Sequence, residues 1–550
     1  MKNYICIFLL FFLPIYTSHS VVHNNNNKTP SNNILIVLFP GGIHKNLQII
    51  DLLISSLTNN SSFIINYSVI IHTGEVDLFK SEIPLSLLHK FSFYTYGIPS
   101  DIETIDIDDL PKQPYFQFYQ VKLRRFYQDF LDSNILSELS QMQKKFHIII
   151  SDRPNYINFL LQQLLQIENK MYLSMRPFPQ LFYKIIEYNP NYTPLLGNDL
   201  TDEMNYKERC TNFFNYLSQQ LILYLSRYEI KYLFNDYGYK QINTTNYYFN
   251  DAITLIQYPI GIAFPLSLPP NVIILNALEV DNIKSNKEIN IKFNEQIKEF
   301  ISLFNHIVII SKDVNFYVKK EVVDEFINEC NKKYTTGFIM LNINNKNNVS
   351  IKGNVLIYEV NSITSYFNYL HYFMEIKEVS VLITPSIFRE ITVAIYHKKP
   401  IISLNNGWYH DNINAYIKKK MIGLIVDSSN INNSQIYVKY IFQLYDNEEE
   451  IDNINIYRKS TIKISTIMHS SKRARNEFNL WLNYGLNNKY SLIANNAYVS
   501  QSWIAFYGYD IFITCFCAVI VLLYIIFYIL TKLYKCCKSK IQLYYKVKKD

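Results

Sequence analysis

The sequence predicts an α/β fold of two doubly wound domains, each a largely parallel sheet covered by helices, followed by one membrane-spanning helix. Three observations carry this expectation. Short unbroken apolar runs alternate with helix-like segments along most of the chain. A proline-rich stretch divides that alternation into two series. Near the C-terminus, Ile511 to Leu530 run without a single charge.

The first series opens at 34–39 (ILIVLF), apolar at successive positions as a strand buried on both faces requires. Pro40, Gly41 and Gly42 break it, and 46–56 then spaces its apolar residues at helical intervals. Strands are expected again at 67–72 and 146–151, with Asp152 directly behind the latter. The prolines within 258–278 forbid a long helix there, and the segment reads as an extended crossing to a second unit. In that unit strands are expected at 306–311, 354–358, 379–384, 400–404 and 422–427, with helices at 388–397, 411–420 and 435–445. The implied domain limits are 34–285 and 286–465, then C-terminal helices and a membrane-proximal segment over 466–510. Proteins of this architecture bind ligands where the strand C-termini of both halves meet.

Composition narrows the function classes. With 49 % hydrophobic and 18 % charged residues, wholesale disorder is excluded. Only 13 of 550 residues are Gly, which argues against glycine-rich phosphate loops and flexible linkers. The 46 Tyr and 36 Phe, with abundant Asn, Ile and Lys, read as a coding bias toward A and T and carry no functional information. The net charge is +7, but Lys532 to Asp550 hold seven Lys and one Asp, so the rest of the chain is close to neutral. A nucleic-acid protein would spread that charge over a folded face, so nucleic acid is rejected as the main partner.

Both ends point to a membrane. Lys2, a short apolar run, and Ser18 and Ser20 at the −3 and −1 positions form a secretory signal over 1–20, followed by an Asn-rich spacer over 21–33. The run 511–530 covers a hydrocarbon core of about 30 Å as a helix. Asp510 precedes it and Lys532, Lys535, Lys538 and Lys540 come after it, which puts the tail 531–550 in the cytosol and the body on the far side. Lys546 and Lys548 stand at −5 and −3 from the C-terminus, as in a dilysine retrieval signal; a chance match in a Lys-rich tail is the other reading. Only Cys210 and Cys330 lie in the body, which leaves at most one disulfide, and Cys536 and Cys537 are candidates for palmitoylation. Sequons such as those at Asn191 and Asn348 agree with a luminal body, and no Cys/His spacing suggests a metal.

Three stretches carry a resemblance. One is Ala394-Ile395-Tyr396-His397-Lys398-Lys399-Pro400, followed at Asn414-Ala415 by helix. The second is the proline-rich segment Pro265 to Val272. The third is the C-terminal order of Phe478 to Trp481, the aromatic stretch Trp503 to Tyr509, Asp510, one span and a basic tail. Together they resemble the UDP-glycosyltransferases, the membrane-anchored animal type that glucuronidates or glucosylates lipophilic compounds. The resemblance implies two facing Rossmann-like domains (GT-B type), with a small lipophilic acceptor in the first and a UDP-sugar, UDP-glucuronate or UDP-glucose, in the second. It implies no permanently bound cofactor, an endoplasmic-reticulum membrane location, and association with itself or with related transferases.

The chemistry can be argued separately. Transfer to a hydroxyl needs a base for the acceptor proton, and an imidazole oriented by a carboxylate suits that task near neutral pH. His44, expected in the loop after the first strand, aligns with the family's catalytic His, and Asp152 with its partner Asp. The bland readings are an exposed loop His and a surface pair of Asp152 with Arg153.

The donor side departs from the family. The usual His-Gly-Gly is Pro385-Ser386-Ile387, the ribose-holding Glu is replaced by Val393, and the sugar-contacting pair aligns with His410-Asp411. The family's Ser-x-Gly-Ser survives only as Ser311, followed by Lys312, Asp313 and Val314. The candidate donor set is therefore Ser311, Pro385, Ser386, Ile387, Asp411 and Asn414. Two functions compete: an inverting UDP-glycosyltransferase, and a catalytically silent relative that binds lipophilic ligands or regulates a partner. The aromatic stretches 91–96 and 115–126 are expected in the core, with a pocket lining as the alternative.

Overall fold

The structure, a computed structural model, describes residues 31–39, 43–59, 64–98, 115–142, 145–152, 156–175, 189–191, 193–195, 200–239, 252–257, 268, 271–276, 278, 295–333, 335–344, 348–360, 363–405, 408–445, 455–470, 473–490 and 509–547. The expected signal segment and the expected boundary at 285/286 lie outside them.

The first sheet contains β1 (Ser31–Val37), β2 (Ile64–His72), β3 (Phe91–Tyr96), β4 (Phe146–Ser151), β5 (Asn169–Ser174), β6 (Ala252–Gln257) and β7 (Val272–Leu275). Their order is β3-β2-β1-β4-β5-β6-β7, and every pairing is parallel. The second sheet contains β8 (His306–Ile310), β9 (Thr336–Ile343), β10 (Asn348–Lys352), β11 (Val355–Val360), β12 (Val379–Thr384), β13 (Ile401–Leu404) and β14 (Gly423–Val426). Their order is β10-β11-β9-β8-β12-β13-β14, parallel except for the β10–β11 pair. Both are doubly wound sheets as the sequence predicts. Ile34, Leu35, Ile36 and Val37 are all fully buried, because helices cover both faces of a central parallel strand. Edge strand β3 alternates between buried and exposed positions.

Several boundaries need correction. β1 begins at Ser31, so the Asn-rich spacer ends earlier than expected. The helix after it spans Ile43–Asn59, because Ile43, Leu47, Ile50 and Ile54 extend the apolar period toward the N-terminus; His44 therefore lies in its first turn rather than in a loop. Part of the supposed crossing, Val272–Leu275, is the seventh strand of the first sheet, a β-branched run that pairs with β6. Strands β3, β5, β6, β7, β9 and β10 had no counterpart in the expectation. Of the two aromatic stretches, Phe91, Tyr94, Tyr96 and Phe126 are buried, and the side chains of 115–123 lie outside what the structure describes.

After the second sheet the chain returns to the first domain. Helix Ile456–Ser470 packs on the second domain, where Ser465 donates to the carbonyl of Tyr396 at 2.7 Å. Helix Ala474–Asn487 instead buries Ala474, Phe478 and Leu482 in the core of the first domain. The amide of Asn169 at the start of β5 donates to the carbonyls of Gly485 (2.6 Å) and Asn488 (2.8 Å), and its oxygen accepts the N–H of Tyr490 (2.9 Å). Arg475 pairs with Asp51 at 2.5 Å. A Cβ at Gly485 would meet the Tyr490 ring at 2.3 Å, so this close approach requires glycine. Within the last helix, Tyr509–Val547, the stretch Phe516–Lys535 is long and apolar enough to cross a membrane and is unburied by the rest of the protein. Cys210 and Cys330 form no disulfide with each other.

Candidate active site

In an open parallel sheet the two strands flanking a reversal of strand order send their connections to opposite faces, which opens a crevice at their C-terminal ends. The first sheet reverses between β1 and β4, the second between β8 and β12. Six of the eight expected site residues come directly after those four strands, and Asp411 and Asn414 lie on the helix after β13.

Behind β1 and β4, the register pairs Val37 with Ser151, which sets Asp152 beside the turn that leaves β1. Asp152 is buried rather than on the surface, and its Oδ1 accepts the backbone N–H of Phe39 at 3.1 Å. The carboxylate thus anchors the segment that reaches His44 five positions later. Aromatic packing holds the same turn from behind. Tyr96 donates its hydroxyl to the carbonyl of Leu38 at 3.0 Å, and the Phe39 and Phe126 rings sit 4.5 Å apart. The side chain of His44 lies outside what the structure describes, although its backbone is placed in the first helical turn.

Behind β8 and β12, Ser311 donates its N–H to the carbonyl of Ile383, which puts it next to Thr384. Ser311 Oγ lies 2.7 Å from Glu390 Oε1, Tyr366 donates to the same oxygen at 2.6 Å, and Thr384 Oγ1 donates to Oε2 at 2.6 Å. Glu390 stands in the first turn of helix Phe388–Tyr396 and is fully buried. Burial, with Asp313 nearby, lifts its carboxyl to about 7, against the opposing effect of the three hydroxyl donors. Lys312 pairs with Asp313 at 3.5 Å and sits 5.8 Å from the Tyr366 ring centre, while Arg389 stacks on Phe367 at 3.7 Å.

Ser386 takes the left-handed backbone conformation, with φ of +67°, at the position where the family carries Gly. Its hydroxyl is turned inward, 2.6 Å from Ser403 Oγ, 2.7 Å from the carbonyl of Leu404 and 3.1 Å from Asn414 Oδ1. Asn414 Nδ2 is buried and has no protein partner among the described residues. Pro385 is buried and Ile387 half-buried; Ile387 donates its N–H to Thr384 Oγ1 at 3.4 Å.

The structure therefore brings Ser386 together with Asn414, and Ser311 with Ile383 on β12 and with Glu390. Asp411 lies on helix Trp408–Lys420, with its side chain outside the described residues. Sequence reasoning missed Glu390, Thr384 and Tyr366. The signal was present: an acidic residue in the first turn of a helix after a buried strand, one turn ahead of Val393.

Solved structures extend the picture. The chain is similar to the glycotransferase of kitacinnamycin, at 10 % identity and a TM-score of 0.51, covering 83 % of this chain and 99 % of that one. It is similar to a UDP-glucosyltransferase from Polygonum tinctorium capable of glucosylating indoxyl, at 11 % identity and a TM-score of 0.52, covering 84 % and 100 %. Os79 from O. sativa, solved in complex with UDP, matches at 11 % identity and a TM-score of 0.52 over 82 % and 100 %. At such identities the likeness is one of fold, and the fold is the two-domain GT-B type. Residues 114–352 match the family described as UDP-glucoronosyl and UDP-glucosyl transferase. The match runs from the approach to helix Tyr115–Asp132 to the end of β10, short of the β12 loop. No curated protein matches the chain.

Proposed function

We propose that the protein is a single-pass UDP-glycosyltransferase that moves a glucosyl or glucuronosyl group from a UDP-sugar to a hydroxyl of a small lipophilic acceptor, with inversion. The acceptor oxygen bonds to the sugar C1 as the bond from C1 to the β-phosphate oxygen breaks; UDP leaves, and His44 takes the acceptor proton. Asp152 orients that imidazole and offsets its charge. The observation that carries this reading is the coincidence of both candidate sets with the two reversal points. His44 and Asp152 come after β1 and β4, and Ser311, Pro385, Ser386 and Ile387 after β8 and β12. Asn414 Nδ2 offers a free donor beside the β12 loop, and Asp411 lies on the same helix.

Helix Tyr509–Val547 anchors the protein in the endoplasmic-reticulum membrane, with the body in the lumen and the basic tail in the cytosol. Association with a second copy or a related transferase belongs to the same reading. A screen of UDP-sugars against hydroxylated lipophilic acceptors, with His44→Ala beside the parent, tests it; turnover by that variant at the parent's rate sinks the base assignment. Endoglycosidase sensitivity tests the topology.

A specific observation favours a second reading, a catalytically silent relative. Ser311 and Thr384, the hydroxyls at the donor edge, are engaged with Glu390 rather than left open. Absence of any thermal stabilisation by millimolar UDP would support it.

A further inference from the structure

We propose that Glu390 is a built-in anion of the donor cleft that sets its affinity for a nucleotide sugar, so that UDP-sugar binds when this carboxyl is neutral. The inference rests on the transferase reading and names the residue that regulates the donor site.

The C-terminal ends of β8 and β12 and the N-terminus of the helix behind them are where a doubly wound domain receives phosphate groups. Glu390 occupies that place from within. Its two oxygens take the hydroxyl hydrogens of Ser311 and Thr384, which end the flanking strands, and of Tyr366 from helix Ile363–Glu375. Those are donors that an incoming phosphate would use. The remaining hydroxyl of the loop, Ser386, is tied to Ser403 and Asn414, and the Ile387 N–H is engaged by Thr384. The edge therefore reads as one already supplied with its anion.

The charged and titratable groups around Glu390 set its charge state. Asp313, behind β8, is a like charge, and Lys312 beside it is paired with that same carboxylate. Tyr366 faces Glu390 as a neutral phenol, its ionisation pushed well upward by burial. Arg389 on the same helix is stacked on Phe367. Among the described residues Glu390 has hydroxyl partners and no ion pair, and burial places its titration near neutrality. A diphosphate arriving at this edge would meet a buried carboxylate at short range and be repelled by it. Protonation removes that repulsion, so nucleotide binding takes up a proton at Glu390 and weakens as pH rises above about 7.

The test is calorimetric titration of the detergent-solubilised full chain with UDP-glucose, whose diphosphate diester does not titrate near neutral pH. For a group that must be protonated and titrates at about 7, linkage predicts affinity about tenfold higher near pH ~6 than near pH ~8. Glu390→Gln should erase the pH dependence and bind about tenfold tighter than the parent near pH ~8. Equal affinity of parent and Glu390→Gln at the higher pH overturns the proposal while leaving the transferase reading intact. No binding by either protein at any pH overturns both and leaves the silent relative. Should Glu390→Gln lose its cooperative unfolding, Ser311→Ala serves instead. It removes a hydrogen bond that favours the ionised form, so the midpoint of affinity against pH must move upward. An unchanged or lower midpoint counts against the proposal.

Discussion

At the reversal point of the first sheet, a buried aspartate accepts a main-chain N–H; at the same point of the second, a buried glutamate accepts three side-chain hydroxyls. Asp152 accepts the Phe39 N–H and so holds the main chain directly after β1. Glu390 draws Ser311, Thr384 and Tyr366 inward and closes a donor surface on itself. Each reversal point thus holds a buried carboxylate, Asp152 directly behind β4 and Glu390 one helical turn into the segment behind β12. They differ in their partners, a main-chain N–H at the first and a hydroxyl cluster at the second.

The sharpest way to break this comparison is at the first edge. His44→Ala should lower transfer by about 10²–10⁴-fold with an unchanged melting temperature, the loss typical of a missing general base. Asp152→Asn keeps an oxygen for the Phe39 N–H, so it should spare the fold while reducing the rate by a similar factor. Rate assays paired with thermal melts separate the outcomes. A variant that melts early but keeps its rate per folded molecule would make Asp152 a structural anchor only.

Much of this was legible in the sequence, for a physical reason. Strands buried on both faces must be apolar throughout, so β4 and β12 could be bounded to the residue. β3 alternates and β10 is mostly exposed, so neither left that signature; β9 did leave it, in the apolar run Phe338 to Leu341, and was not recognised. The Tyr206–Asp236 helix was likewise missed, because its apolar residues keep to no single face. At the site, Asp152 was readable because one residue after a strand end has only one place to go. Glu390 left only its place in a first helical turn as a signal; its partners come from β8, β12 and a helix distant in sequence, and only the assembled sheet brings them together. Val393, which aligns with the family's Glu, lies in the core.

The next effect concerns stability against pH, where two buried groups of the second domain oppose each other. Glu390 is raised from 4.5 to about 7 by burial; the stability tied to its neutral form is complete below 4.5 and is lost as pH climbs through 7. His397 is lowered from 6.5 to about 4 by burial, with Lys399 and His469 adding to the effect; its contribution is present above 6.5 and is lost as pH falls through 4. Each shift corresponds to a contribution on the order of 3 kcal/mol. Melts of the full chain between about pH 5 and 8 should therefore show a shallow net dependence in the parent. In Glu390→Gln the histidine slope is left unopposed, so stability should rise with pH up to about 6.5 and then level off. A flat profile in the variant would mean that His397 is not the opposing group.

A smaller effect is expected at Ser386. Gly there would relieve the left-handed backbone but lose hydrogen bonds to Ser403, Leu404 and Asn414. The lost bonds outweigh the relieved strain, so Ser386→Gly should cost about 1–2 kcal/mol in denaturant melts. A stabilised variant would mean that the strain dominates, and that the inward-turned hydroxyl does little to hold the second edge.

The smallest effect tests whether the two edges are held in register by charge. Lys419, on the helix that also carries Asp411 and Asn414, pairs with Asp202 and, at 3.0 Å, with Glu203 from the first domain. Lys419 and Asp202 are each about one-fifth exposed, whereas Glu203 lies in solvent, so screening limits what the cluster contributes. Lys419→Ala should therefore cost at most about 1 kcal/mol, and the difference from the parent should shrink in high salt. The returning helix Ala474–Asn487 then carries the domain pairing, with Asn169 and Arg475 as its polar fasteners. A salt-independent loss of several kcal/mol would reverse that ranking. It would make the ion cluster, rather than the C-terminal return, the element that keeps Asp152 and Glu390 in one working arrangement.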